Sequence, residues 1–176
     1  MFHLSKFAKL PLAIFLNYLV ALMTKSNPFI TEALKQAQIA FENGEVPVGA
    51  VVVQDNKIIA AAYNQNITLK DSTAHAEILA IRKANQILQS HRLETCDLYV
   101  SLEPCPMCAG AISAARIKRL YYAASDAKSG GIENGAKVFN HQQCHHKPEI
   151  YSGIGALESE KLLKDFFAGK RLKATK

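Results

Sequence analysis

The sequence has too few cysteines to be held together by disulfides: four in 176 residues, at positions 96, 105, 108 and 144. Their uneven spacing gives no disulfide framework for a domain of this size, which argues for a reducing compartment. Six prolines and a charged content of 20% exclude a proline-rich or charge-driven disordered chain. No internal repeat is present, which removes the solenoid architectures. A membrane-spanning run is also lacking. The apolar stretch from Leu10 to Met23 is broken by Asn17 and falls short of the about 20 residues a spanning helix needs. Lys6 and Lys9 ahead of it mimic a signal peptide, but no small-x-small cleavage site follows. No membrane partner is expected, and the expected location is the cytoplasm.

What remains is an ordinary globular composition, 49% hydrophobic, in a chain long enough for one domain with a real core. Residues 1–26 read as an N-terminal extension, with translation expected to start at Met23. The domain proper spans 27–169, and a basic tail covers 170–176. The net charge of +6 is concentrated at the C-terminus, where Lys161 to Lys176 holds six lysines and arginines against Asp165 alone. Such an end suits a phosphate backbone, or equally a solvated helix end whose cations complement the dipole.

The spacing predicts a helix opening at Asn27-Pro28 and closing at Asn43-Gly44. Two strands, Val48 to Val53 and Lys57 to Tyr63, meet at the hairpin signal Asp55-Asn56. A polar loop covers Asn64 to Asp71. A second helix, capped by Ser72 or Thr73, runs to about Ser90 with Ile78, Ile81 and Leu88 inward, so that His75 falls in its first turn. A buried strand at Leu98–Leu102, a helix from Met107 to about Ile117 and a strand at Leu120–Ala124 follow. After an unpatterned polar stretch, Ser125 to Gly135, come a helical turn near Lys137–Asn140 and a short strand, Glu149–Ser152. The last element is an amphipathic helix carrying Leu157, Leu162, Leu163, Phe166 and Phe167. This order implies a helix-covered α/β sheet, parallel where helices intervene, with one antiparallel hairpin.

Two short stretches carry the chemistry, His75-Ala76-Glu77 and Pro104-Cys105-Pro106-Met107-Cys108. His75, Cys105 and Cys108 are three good zinc ligands, which leave a tetrahedral ion one open position, the arrangement of a catalytic site. Cys105 and Cys108, three apart at a helix start, share a face near the positive end of its dipole, where thiolates are favoured. Glu77 is the spare carboxylate, placed to act as general acid/base. One geometric obstacle stands: on a regular helix, residues i and i+2 point about 200° apart. His75 and Glu77 can cooperate only if their helix meets the metal end-on. No second C-x-x-C completes a closed four-ligand site. His141, Cys144, His145 and His146 form a further cluster that reads as a polar surface loop or as a second metal site. Cys96 reads as a connector without chemistry.

The order H-x-E then P-C-x-x-C is the known signature of zinc nucleobase deaminases. Glu45-Val46-Pro47-Val48-Gly49-Ala50, Thr73-Ala74-His75-Ala76-Glu77, Leu102 to Ile112 and Asp126-Ala127-Lys128-Ser129-Gly130 resemble the tRNA adenosine deaminases, over residues 27–169. That resemblance implies a cytidine-deaminase-like three-layer α/β/α fold around a mixed sheet of about five strands, and a homodimer. It also implies hydrolytic conversion of adenosine to inosine at the wobble position of a tRNA anticodon stem-loop, with one zinc per subunit on His75, Cys105 and Cys108. Glu77 then takes a proton from water and returns it to the departing amine. By matching motifs, Asn64 hydrogen-bonds the flipped nucleotide, Val48 lines the base pocket, Asp126 and Lys128 contact the neighbouring sugar and backbone, and Phe167 with the basic tail holds the loop. On the residues alone, Asn64 is a turn residue and Asp126 and Lys128 an exposed pair. The alternatives are a deaminase of a free nucleoside, nucleotide or base (cytidine, deoxycytidylate or guanine), and a non-catalytic zinc-binding interaction module.

Overall fold

A computed structural model describes residues 27–174 of the chain, with side chains through 171. The reading of residues 1–26, including a start at Met23, lies outside the described residues, as does the end of the basic tail. Asn27 caps the first helix, α1 (Pro28–Glu42), accepting from the backbone N–H groups of Phe29 and Ile30. Strands β1 (Gly49–Gln54) and β2 (Lys57–Tyr63) follow. Their turn places Asp55 and Asn56 at φ 48° and 63°, the two positive values that a tight hairpin of the twisted sense requires.

Helix α2 (Ala76–Leu88) leads to β3 (Cys96–Leu102), α3 (Pro106–Ala114) and β4 (Arg119–Ala124). A 3-10 turn at Val138–Asn140 and β5 (Glu149–Ser152) precede the long α4 (Ala156–Ala174). The sheet order is β2-β1-β3-β4-β5. β1 runs antiparallel to both β2 and β3, whereas β3, β4 and β5 are parallel. Strands joined through a helix thus run the same way, as expected of crossover connections.

Near-continuous burial of β1 and β3 puts both sheet faces in a core. Ala50, Val52, Leu98, Val100, Leu120 and Tyr122 pack with α2 and α3, while Val51, Val53, Tyr99 and Ala123 pack against α1. The result is three layers, α/β/α. Two details differ from the sequence reading. The innermost stripe of α2 is Ala76, Ala80 and Ala84, all fully buried, because small side chains let the helix axis approach the sheet closely. Ile78 and Ile81 flank it, and Leu88 is only half-buried. In α4, Leu157 is 80% exposed and Phe167 45% exposed, so the helix seats mainly through Phe166, which meets Phe41 edge-on at 5.7 Å. No described helix is long and apolar enough to cross a membrane.

Candidate active site

The chain delivers the site from two helix starts. His75 is the N-cap of α2, at φ −73° and ψ 151°, and Cys105 is the N-cap of α3, at φ −68° and ψ 170°. Both are extended, so neither follows helical spacing. The sequence reading put His75 in the first turn; the structure places it just before the helix. That shift resolves the angular conflict with Glu77, since the about 200° separation applies only between residues inside a helix. The end-on approach required of the helix is the one observed.

The cap bonds that Ser72 or Thr73 were expected to supply come from elsewhere. Asn64 Oδ1 accepts from the Ala76 N–H at 2.8 Å, and His75 makes no side-chain cap bond. Its imidazole turns to the cysteines: Nδ1 lies 3.5 Å from Cys108 Sγ and 3.7 Å from Cys105 Sγ. Zinc bond lengths of about 2.3 Å to sulfur and about 2.0–2.1 Å to nitrogen, at tetrahedral angles, set these atoms about 3.6 Å apart. The triangle therefore has zinc dimensions, and all three ligand atoms lie within 4.8 Å of one another. Among the described residues it is the one such grouping. The two thiols are shifted in opposite directions. Cys105 is drawn down to about 4 by the hydrogen bond from Cys108 and, against the cost of burial, by that with His75. Cys108 is pushed up by the same bond to Cys105 and by burial. The bond to Cys105 outweighs burial at His75 and raises its pKa.

Glu77 sits in the first turn of α2, 3% exposed. Its Oε2 has no hydrogen-bond partner among the described residues, and burial pushes its carboxyl up. A buried carboxylate with an unused oxygen beside two thiols and an imidazole has the chemistry a proton-transfer group needs. The donor set and the orphaned oxygen both fit a zinc ion with a reactive fourth position.

His75, Glu77 and Cys105 open into a cleft of about 1010 Å³ that Val48, Asn64, Asp126, Lys128 and Phe167 also line. The residues that the deaminase resemblance singled out thus gather at one cavity, with Cys108 beside it, fully buried. With Asn64 Oδ1 committed to Ala76, its NH2 is the group that can face a ligand. Lys170 and Arg171 of α4 extend the rim.

Glu45 opens one of the matching motifs, but the sequence assigns it no role. It is 1% exposed, and its carboxylate accepts from the N–H groups of Ile67 (3.0 and 3.1 Å) and Thr68 (2.8 Å), pinning the loop after β2 to the edge of the cleft. Burial opposes its ionisation, but the bonds from Thr68 and Ile67 and the Lys170 cation outweigh it and hold the carboxyl below the ordinary 4.5. A depressed folded-state pKa adds stability that is full above the unfolded value and is lost as pH falls through the folded one. Glu45→Gln therefore lowers stability at neutral pH by about 2 kcal/mol, the worth of charged hydrogen bonds. The gap to the unsubstituted protein narrows below 4.5, a trend that denaturant unfolding across that range measures.

The histidine cluster lies apart, around a separate hollow of about 410 Å³. His146 Nε2 donates to the Ile117 carbonyl at 2.6 Å, His141 Nε2 to that of Ala136 at 2.8 Å, and Cys144 Sγ to that of His146 at 3.1 Å. These atoms are spent on backbone, which favours the reading of a structural loop. Cys96 is the fully buried first residue of β3.

Comparison with known proteins adds independent findings. The model of the MafB19-like deaminase family matches residues 25–171. A tRNA-specific adenosine deaminase of Agrobacterium fabrum is 50% identical over 150 residues, covering 85% of this chain and 99% of that protein. A Bacillus subtilis tRNA-specific adenosine deaminase is 41% identical, covering 86% and 94%. Among solved structures, one from a study of A-to-I editing by tRNA:A34 deaminases at the wobble position superposes with a TM-score of 0.76 at 51% identity, covering 77% of this chain and 98% of that one. A guanine deaminase from Bacillus subtilis superposes with a TM-score of 0.55 at 47% identity over 56% of this chain and 63% of its own.

Proposed function

The chain belongs to the MafB19-like deaminases and to the tRNA-specific adenosine deaminases, and from that membership we infer the hydrolytic conversion of adenosine to inosine at the wobble position of a tRNA anticodon. The observation that carries the reading is the triangle of His75, Cys105 and Cys108 beside the buried, half-unpartnered carboxylate of Glu77.

His75 Nδ1 and the two sulfurs would hold one zinc per subunit. Zinc, when bound, supplies the Lewis acidity that makes water a nucleophile at neutral pH. Glu77 accepts the proton as the water oxygen bonds to C6 of the adenine. It passes that proton to N1, then takes the proton of the new C6 hydroxyl and delivers it to the exocyclic nitrogen as the C6–N bond breaks, and ammonia leaves. The water-derived oxygen remains as the 6-oxo group of inosine. One carboxylate thus serves as base and then acid. The cleft suits an extruded base: Val48 presents an apolar wall, the Asn64 amide a donor, and Asp126 and Lys128 polar groups for the adjoining sugar and phosphate. Phe167 offers a face for stacking, and the cations of α4 follow the backbone. An anticodon loop already presents unstacked bases, which lowers the cost of extrusion. We place the enzyme in the cytoplasm as a homodimer.

A guanine deaminase shares part of the fold, so free bases are the competing substrate class. The cleft favours the polymer, because Lys128, Lys170 and Arg171 also line it, and a free base carries no phosphate for such cations to meet. Incubation with unmodified arginine tRNA bearing a wobble adenosine, and separately with guanine and cytidine, decides between them. Inosine in the tRNA and no turnover of the small substrates is the expected result; tRNA left unchanged overturns the assignment.

A further inference from the structure

The segment between β4 and α4 that lines the cleft, residues 125–135, has neither helix nor strand, yet it carries Asp126 and Lys128. Its two ends converge on one side chain. Glu103, 3% exposed, accepts at Oε2 from Ser125 Oγ (3.2 Å), Asp126 N (3.0 Å) and Asn134 Nδ2 (2.7 Å). At Oε1 it accepts from the backbone N–H groups of Ile132 (3.1 Å), Glu133 (2.9 Å) and Asn134 (3.0 Å). Six donors converge on it, which is the demand of an ionised carboxylate, since only acceptors serve on both oxygens.

From that anchor the arm builds outward. Asp126 Oδ1 accepts from the backbone N–H groups of Lys128 and Ser129, both at 3.0 Å, which fixes the backbone that carries Lys128 at the cleft. Gly131 N–H donates to the Pro104 carbonyl at 2.8 Å. The two glycines are there for space. A Cβ on Gly130 would come within 2.5 Å of the Glu103 carboxyl carbon, and one on Gly131 within 2.6 Å of the Pro106 nitrogen. The arm therefore lies directly on the turn that carries Cys105.

We propose that Glu103 is a positioning residue for the tRNA: its carboxylate ties the Asp126–Lys128 arm to the Cys105 turn and so sets the distance between the reacting base and the neighbouring backbone contacts. This rests on the substrate reading above. In Glu103→Gln one oxygen becomes an NH2 facing donors, and the arm loses its anchor without losing a metal ligand. KM for an anticodon stem-loop rises about tenfold, the scale of charged hydrogen bonds, while kcat and zinc content hold. A purely structural role would lower zinc content, kcat and thermal stability together. A double-mutant cycle isolates the route: Lys128→Ala raises KM alone, and adds little in the Glu103→Gln background. Asn134→Ala, which removes a single half-buried donor from the same carboxylate, gives a smaller rise in KM if Glu103→Gln does not fold. Full additivity, an unchanged KM, or a loss confined to kcat and zinc overturns the positioning role. Absence of inosine with the unsubstituted protein overturns the substrate reading instead.

Discussion

Glu77→Ala is expected to lower inosine formation on tRNA by about four orders of magnitude, the upper range for one acid/base group, because this carboxylate acts on two protons in the cycle. Zinc content stays at the level of the unsubstituted protein. The separation follows from geometry: the ligand triangle comprises His75, Cys105 and Cys108, and Glu77 stands outside it with Oε2 unpartnered among the described residues. Truncation removes a buried carboxylate whose ionisation burial already disfavours, so the fold tolerates the loss. Glu77→Gln keeps the shape and loses the proton transfer, and falls to a similar rate. Single-turnover kinetics with metal analysis of the same samples is the measurement; retention of most activity by Glu77→Ala would reassign the acid/base group.

His75→Ala is expected to lose metal and turnover together, from about one zinc per chain to almost none. Nδ1 closes the triangle at 3.5 and 3.7 Å from the sulfurs, and its removal leaves two of the three donors. Metal ligands must be deprotonated, so a two-sulfur site competes poorly. Chelation of the unsubstituted protein gives the same loss, and added zinc restores it there but not in His75→Ala. The cap of α2 survives the substitution, because Asn64 rather than His75 bonds the Ala76 N–H. A His75→Ala protein that keeps its zinc would place the metal elsewhere.

Much of the frame was legible without coordinates. Asp55-Asn56 gave the hairpin because short polar residues tolerate positive φ, and β5 was found to the residue although all four of its side chains are exposed. The helical wheel misled at His75, where the backbone is extended rather than helical. It also overstated α4, whose Leu157 faces solvent. Glu45 and Glu103 fall inside the matching motifs, but nothing local shows what they bind. Their donors lie between 22 and 31 residues away along the chain.

By itself, the sequence determined the candidate ligand types and their order, the carboxylate two residues from the histidine, and the apolar runs that read as buried strands. These are local properties: donor chemistry and hydrophobicity both belong to the side chain. Only the tertiary structure decided that the starts of α2 and α3 meet, that Asn64 caps the former while facing the cleft, and that two buried carboxylates pin the loops on either side. Such contacts join segments separated by tens of residues, and they exist only once strand pairing has fixed where each helix begins.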